Sequence, residues 1–211
     1  MLTIFMSPKG GTGTTVTAAA YAVAAAGASG RSLLIDMCGD AQAALGMAES
    51  ASPGLNDWLA EANPAGPDDL LALGTPAGSV LVVHPGSRFV TGAPRWDALT
   101  QAVSARDFPV VIDAGTQFVP DELRAAAERT WMVVRPCYLT LRRATRLPRP
   151  DGAVVVREPG RALSVRDVEA VLGVPVVATV PFDPAVSRAV DAGLLQSRLD
   201  DVIGRHLPPL D

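Results

Sequence analysis

The sequence predicts a doubly wound α/β fold, with helices covering both faces of a mostly parallel sheet. Three observations lead to this prediction. Short apolar runs alternate with helical segments along the whole chain. These runs are continuously apolar, which is typical of parallel strands buried on both faces. Two of them end in an aspartate, Asp36 and Asp113, and another, at residues 2–6, leads into a glycine-rich loop.

The first half of the chain predicts three strands, which are the apolar runs 2–6, 32–36 and 80–83. The alanine-rich segment 15–28 predicts a helix between the first two strands, ended by Gly30. Residues 37–62 predict a loop with two short helices, and the proline and glycine of segment 63–67 predict a turn.

The second half repeats the alternation, and its predicted strands are 110–113, 131–134, 153–156 and 176–180. Helices are predicted at 95–106, 121–129, 138–147 and 164–172. Pro120 precedes the second of these helices and Ser164 begins the fourth, and both residue types are usual at a helix start. One or two further helices are predicted within 184–207, including a C-terminal helix at about 194–207.

Length and composition favour a single domain over residues 1–211. Hydrophobic residues make up 48% of the chain and charged residues 19%, which excludes an intrinsically disordered protein. The formal net charge of −4 excludes a generally basic surface for nucleic acid. Cys38 and Cys137 lack the spacing of a disulfide or metal motif, and no apolar run approaches the ~18 residues of a membrane helix. We therefore expect a cytoplasmic protein.

The segment after the first strand predicts a phosphate-binding loop, with the sequence Ser7-Pro8-Lys9-Gly10-Gly11-Thr12-Gly13-Thr14-Thr15. Its three glycines let backbone N–H groups converge on an anion, and the next helix directs its positive end to the same place. Lys9 is the only lysine of the chain; all other basic side chains are arginines. A slim ammonium fits between phosphates where the planar guanidinium does not.

The loop departs from the general P-loop at two positions. Pro8 replaces the first glycine, and Thr14 replaces the phosphate-binding lysine that normally precedes the Mg²⁺-binding hydroxyl, here that of Thr15. We therefore expect a phosphate-binding loop that keeps its backbone N–H groups but lacks one of the two positive charges that normally contact the phosphates.

The stretch from Lys9 to Thr15 resembles the deviant Walker A motif of the ParA/MinD group, K-G-G-x-G-K-[ST]. The resemblance covers nearly the whole chain through segments 33–36, 110–113 and 180–193. The missing second lysine is most similar to the atypical TadZ/CpaE branch, which is linked to pilus and secretion systems. The resemblance implies a P-loop NTPase fold, ATP-driven homodimers with sandwiched nucleotide, and the positioning of cellular cargo. It also implies that a partner can recruit the protein to a cell pole or membrane.

The resemblance further implies ATP or ADP as the ligand, bound weakly or not at all because the lysine is missing. The residues that would contact the nucleotide are Gly10, Gly11, Thr12, Gly13, Thr14 and Thr15 in the loop, and Arg157, Pro181 and Phe182 near the adenine. A solvated Arg157 and a core Phe182 are the structural alternatives.

Metal and catalytic residues are carried over in the same way. Mg²⁺, if nucleotide binds, would lie near Thr15, Asp36 and Asp113. Lys9 would reach the partner's nucleotide, and Asp36 keeps the first position of the family's D-x-D segment. The second position, associated with the attacking water, is Cys38, and a thiol is a poor substitute for a carboxylate there. Asp40 lies two residues further on, out of register.

Four arginines, Arg142, Arg143, Arg146 and Arg149, fall within eight residues of one predicted helix and its end. They predict either a solvated face or a docking surface for DNA, lipid headgroups or an acidic protein. The acidity of the chain disfavours DNA, so a protein partner is expected beside the homodimer.

Three functions follow from these patterns. The favoured one is a dimer-forming localisation or scaffold protein with little or no ATP hydrolysis. The second is an active but slow ATPase, in which Lys9, Asp40 and Mg²⁺ supply what is missing, and whose cargo is a pilus or secretion machinery, a plasmid or chromosome, or a division site. The third is an interaction module with an empty pocket.

Overall fold

A computed structural model of the chain describes residues 1–50, 52–61, 66–87 and 94–210. Within these ranges, the strands are β1 Leu2–Met6, β2 Ser32–Asp36, β3 Thr75–Ala77, β4 Val80–Val83, β5 Val110–Gly115, β6 Arg129–Val134, β7 Gly152–Arg157 and β8 Val176–Pro181. They form one sheet in the order β3-β4-β2-β5-β1-β6-β7-β8, and the pairing is parallel except between β3 and β4.

The α-helices of the described ranges are α1 Thr14–Ser29, α2 Ala41–Ala44, α3 Leu55–Ala60, α4 Pro67–Ala72, α5 Trp96–Ser104, α6 Asp121–Ala126, α7 Tyr138–Ala144, α8 Val165–Leu172, α9 Pro184–Asp191 and α10 Leu199–Val202. A 3₁₀ turn follows at Gly204–His206. No described helix is long and apolar enough to cross a bilayer.

Apolar side chains of the sheet point to both of its faces and build two cores. One core packs α3, α5, α6, α7 and α8 against the sheet, and the other packs α1, α2 and the C-terminal segment. Six alanines of α1 (Ala18, Ala19, Ala20, Ala22, Ala25 and Ala26) are buried, so this helix lies close to the sheet. There Tyr21 meets Phe5 edge-on, with ring centroids 5.2 Å apart. The predicted doubly wound α/β fold is confirmed.

Several boundaries differ from the predictions. The helix predicted at 121–129 ends at Ala126, since Arg129 already pairs with β1 through Thr3. The helix predicted at 138–147 ends at Ala144. The edge strand β3 was not predicted, because three residues including a proline carry no strand pattern. The predicted turn at 63–67 lies mostly outside the described residues, and the single-domain assignment stays a prediction.

The predicted C-terminal helix at 194–207 is wrong. The segment holds only the four-residue α10 and the 3₁₀ turn. Gly193 has a φ of 68° and packs so closely on Gly46 that a side chain on Gly46 would collide with it. Gly204 has low helix propensity, and the burial of Leu195 and Ile203 in the core fixes the intervening turns. Tertiary packing therefore overrides the apolar spacing.

Candidate functional site

The glycine-rich loop lies at the carboxyl end of β1, between the ends of β5 and β6. This edge is where ligands bind in open α/β sheets. Gly11 and Gly13 have φ values of 75° and 91°, which side chains rarely allow, and α1 begins directly after Gly13. The loop therefore directs its backbone, and the N-terminus of α1, to one open space.

Three hydroxyl groups hold this loop in shape. The Ser7 and Thr12 hydroxyls are 2.7 Å apart, and those of Thr12 and Thr14 are 2.8 Å apart. Ser7 donates its proton to the Lys9 carbonyl at 2.7 Å. Thr12 must then donate to Ser7, and Thr14 to Thr12, because each hydroxyl has one proton. The Thr14 side chain is thus buried and committed to the loop.

Lys9 is partly exposed and forms no ion pair with any described residue. It borders a cavity of about 540 Å³, which the loop residues share with Cys38, Asp40, Thr116 and Gln117. The predicted contacts Gly10, Gly11, Thr12, Gly13, Thr14 and Thr15 all line this cavity. A volume of this size is ordinary for a small-molecule site.

Two carboxylates lie at the strand ends beside the loop. Asp36 is fully buried, and its carboxylate accepts three N–H groups at 2.8 Å, from Cys38, Gly39 and Ala41. Its charge is therefore compensated by its own loop.

Asp113 is as deeply buried as Asp36, but few hydrogen bonds compensate the charge of its carboxylate. Its Oδ1 accepts the Gly115 N–H at 3.1 Å, and its Oδ2 has no hydrogen-bond partner among the described residues. Burial raises the pKa of Asp113 to about 7; the charge of Asp36 adds to the rise, and the nearby Thr15 hydroxyl opposes it. The metal residues Thr15, Asp36 and Asp113 predicted from the sequence thus lie together.

The Cys38 thiol lies beside the same two carboxylates, half-buried and 3.9 Å from the Asp113 carbonyl oxygen. Burial, followed by the charges of Asp113 and Asp36, raises the pKa of Cys38 to about 12. In this state the group is a neutral thiol near pH 7 and cannot accept a proton from water.

A second cavity, of about 110 Å³, lies beside Gly13 and is bordered by Pro181 and Phe182. The Arg135 guanidinium stacks over the Phe182 ring, 4.6 Å from its centroid. Arg157 does not line this cavity but a different one, with Glu158 and the start of α8. The structure thus brings Pro181 and Phe182 to the loop, whereas the exposed Arg157 side chain lies apart.

The four clustered arginines of α7 and the segment after it are all exposed. None of them forms an ion pair with a described residue. Arg149 donates to the Gly173 carbonyl at the end of α8.

Sequence reasoning missed Arg135 and the roles of Ser7 and Thr12. Arg135 directly follows β6, the neighbour of β1, so its place at the same sheet edge was a usable signal. The hydroxyl chain gave no comparable signal, since serine and threonine are ordinary loop residues.

The parallel sheet, the loop at the end of β1 and the helix that follows define a P-loop NTPase fold. Residues 3–196 match the sequence family described as the CobQ/CobB/MinD/ParA nucleotide binding domain. The chain belongs to this family. No curated protein sequence gives a significant match.

Three solved structures superpose on this chain over nearly the full length of each protein. A ParA family ATPase from Chlorobium tepidum TLS superposes with a TM-score of 0.76 at 17% identity, over 95% of this chain and 92% of that one. The MinC:MinD cell division protein complex of Aquifex aeolicus gives 0.71 at 18%, over 100% and 98%. The septum site-determining protein MinD of Pyrococcus horikoshii OT3, complexed with Mg-ADP, gives 0.70 at 20%, over 95% and 88%. Identities this low establish the fold alone.

Proposed function

We propose that the chain is a ParA/MinD-type localisation or scaffold protein that forms dimers and hydrolyses ATP little or not at all. The observation that carries this proposal is the Thr14 hydroxyl, which bonds to Thr12 inside the loop. The position of the family's second lysine then holds the loop together and supplies no charge to a phosphate.

The chemistry at Cys38 supports slow or absent hydrolysis. A neutral thiol neither attracts nor deprotonates water, and loss of such a group lowers a rate by ~10²–10⁴. Loss of a charge that stabilises the transition state lowers it by a further ~10²–10³. Both changes affect one site, so turnover by this chain is expected to be negligible.

ATP or ADP fits the site as a ligand even so. The loop N–H groups and the N-terminus of α1 can hold the phosphates, and the stacked pair Arg135 and Phe182 can hold the base beside Gly13. The missing ammonium weakens this binding by roughly 2–3 kcal/mol.

Mg²⁺ fits beside the phosphates. Thr15 would ligate it, with Asp36 and Asp113 behind. The buried Oδ2 of Asp113 has no hydrogen-bond partner among the residues described, and the positive charge of the ion would stabilise it. The ion would neutralise phosphate charge when bound.

The face around the loop suits a second copy of the chain. Phe118 and Tyr138, which follow β5 and β6, are 74% and 73% exposed and lie on either side of the strand that leads to Lys9. The Lys9 ammonium, which has no ion-pair partner in the described ranges, together with these two exposed aromatic side chains supports an interface in which Lys9 reaches the partner's phosphates.

The protein partner is expected to be acidic, because the exposed arginines of α7 carry no bound counter-charge from described residues. The finer assignment is the TadZ/CpaE-like branch, which would place the protein in the positioning of pilus or secretion machinery. A DNA or membrane surface is the less favoured use of these arginines.

A slow but active ATPase is the second candidate. Asp40 is exposed and lines the same cavity as Lys9 and Thr15, so its carboxylate can reach a water molecule there. Asp40→Asn removes this route without altering the loop.

Titration calorimetry with ATP and Mg²⁺, together with phosphate release by the same preparation, tests the proposal. We expect binding without turnover above the buffer rate. Turnover that Asp40→Asn abolishes would favour the second candidate, and absence of binding would contradict nucleotide as a ligand.

Dimerisation is measured by analytical ultracentrifugation with and without ATP. We expect nucleotide to promote the dimer in the wild type but not in Lys9→Ala. Arg143→Ala, which removes a positive charge from α7 instead, is the matched control and should leave the dimer intact. If the nucleotide-dependent dimer persisted in Lys9→Ala, the proposed contact of Lys9 with the partner's nucleotide would be wrong.

A further inference from the structure

Three groups of different chemistry converge below the glycine-rich loop. One ligand atom each of Asp36, Cys38 and Asp113 lies within 4.8 Å of the other two. Asp36 and Asp113 are register partners on β2 and β5, so their carboxylates leave the sheet side by side. The N–H of Cys38 bonds to Asp36 Oδ1, which brings the sulfur back to the pair.

The carboxylate of Asp113 is incomplete as it stands. Its Oδ2 is buried, has no partner among the described residues, and belongs to a side chain with 0% exposure. An unpaired buried oxygen of this kind is costly, and a cation would complete it. Asp36 is held in one orientation by three N–H groups, two on Oδ1 and one on Oδ2, so its Oδ2 keeps a free lone pair for a ligand bond.

The structure makes room for the sulfur and leaves it accessible. A side chain on Gly115 would place its first carbon 2.3 Å from Cys38 Sγ, so only glycine leaves that space to the thiol. Cys38 also lines the open 540 Å³ cavity, which gives an ion a path to the three groups.

The sulfur decides which ion suits these ligands. Mg²⁺ takes oxygen ligands in octahedral geometry, whereas a cysteine sulfur beside carboxylates favours Zn²⁺ and related thiophilic ions, which bind it as the thiolate and displace the thiol proton to solvent. Three protein ligands leave the fourth tetrahedral position to water. Ligand atoms around Zn²⁺ are about 3.5 Å apart, so a cluster whose ligand atoms lie within 4.8 Å of one another would contract by at most about 1 Å.

From these observations we infer that Asp36, Cys38 and Asp113 form a binding site for a thiophilic divalent cation of the Zn²⁺ class. The site needs no nucleotide, so the inference stands apart from the proposed ATP binding. Since two of its residues also lie behind the proposed Mg²⁺ position, an ion bound there would compete with Mg²⁺ and nucleotide.

Cobalt is the probe for this site, because Co²⁺ bound to a thiolate gives a charge-transfer band in the near ultraviolet. The full chain, reduced and free of metal and nucleotide, is titrated with Co²⁺ and then with Zn²⁺. We expect about one equivalent of Co²⁺ to produce the band and Zn²⁺ to abolish it.

Variants assign the ligands. Cys38→Ser, which keeps the size of the side chain, should lose the band, whereas the matched control Cys137→Ala should keep it. Asp113→Asn should weaken Co²⁺ binding at least tenfold while circular dichroism shows an unchanged fold. A band that survives Cys38→Ser, or no band in the wild type, would refute the site.

Discussion

Asp36 and Asp113 are direct register partners on adjacent parallel strands, and both carboxylates are completely buried. Three backbone N–H groups compensate Asp36, whereas one compensates Asp113. When it is ionised, the Asp113 carboxylate therefore destabilises the folded protein beneath the glycine-rich loop.

Asp113→Asn is expected to stabilise the free protein near pH 8 but not near pH 4. Burial raises the folded-state pKa of Asp113 from 3.8 to about 7. Between these values the folded chain holds a proton on Asp113 that the unfolded chain has released. The contribution of Asp113 to the free energy of unfolding therefore falls as the pH rises from about 4 to about 7, and it stays low at higher pH. The neutral amide of asparagine does not undergo this titration, so the free energy of unfolding should rise by roughly 2–4 kcal/mol near pH 8.

Urea unfolding at the two pH values measures this gain. Asp191→Asn is the control, since Asp191 is exposed at the end of α9. A gain for Asp113→Asn that does not change with pH would show that its carboxylate is compensated in some other way.

Gly115→Ala is expected to destabilise the protein by about 2–4 kcal/mol, from strain at a positive φ and overpacking. Gly115 has a φ of 48°, and an added carbon would lie 2.3 Å from Cys38 Sγ. Gly10→Ala is the matched control within the loop, because a carbon there meets nothing within 4 Å and φ is not positive.

The same collision can be tested by a double-mutant cycle. Cys38→Ala should recover the overpacking part of the Gly115→Ala loss, measured as the free energy of unfolding. Strictly additive losses would mean that the two residues do not touch.

Thr12→Val should destabilise the loop more than Thr14→Val. Thr12 joins both of the other hydroxyls, whereas Thr14 ends the chain. We expect about 2 kcal/mol for Thr12→Val and about 1 kcal/mol for Thr14→Val, since each broken bond leaves a hydroxyl unpaired. Equal losses in thermal or urea unfolding would contradict the shared role of Thr12.

Thr14→Lys is expected to raise the affinity for ATP and Mg²⁺ by roughly 10- to 100-fold, the usual value of a charge-assisted bond to phosphate. Calorimetry measures the change, and Thr14→Ser, which keeps the hydroxyl, is the control. No gain would indicate that the loop needs the Thr14 hydroxyl to reach its binding shape.

Much of the fold could be predicted because its signals are local. The apolar runs predicted seven of the eight described strands. Because these runs are apolar at successive positions, they also predicted a parallel sheet covered on both faces. The grouping of the loop with Asp36 and Asp113 was expected from the resemblance to the ParA/MinD motif. The edge strand β3 and the turns after Gly193 could not be predicted, because pairing with β4 and contact with Gly46 decide them.

The details of the site depended on contacts between distant residues. The strand pairing of β1 and β5 is irregular between Asp113 and Gly115, which no local pattern shows. The stack of Arg135 on Phe182 joins residues from two separate strand ends. That Asp113 Oδ2 has no hydrogen-bond partner within the described part of the chain is likewise a tertiary property, since it depends on which segments surround it.

The sequence by itself determined the layered α/β architecture, the glycine-rich loop and the two substitutions, Thr14 and Cys38, that set this chain apart from its motif. These are properties of residue type and spacing, which the chain carries before it folds. Only the tertiary structure decided that Thr14 bonds inward and that Cys38 lies beside two buried carboxylates. The reason is that hydrogen-bond direction, burial and charge proximity depend on distances between segments, and these distances exist only after the sheet has formed.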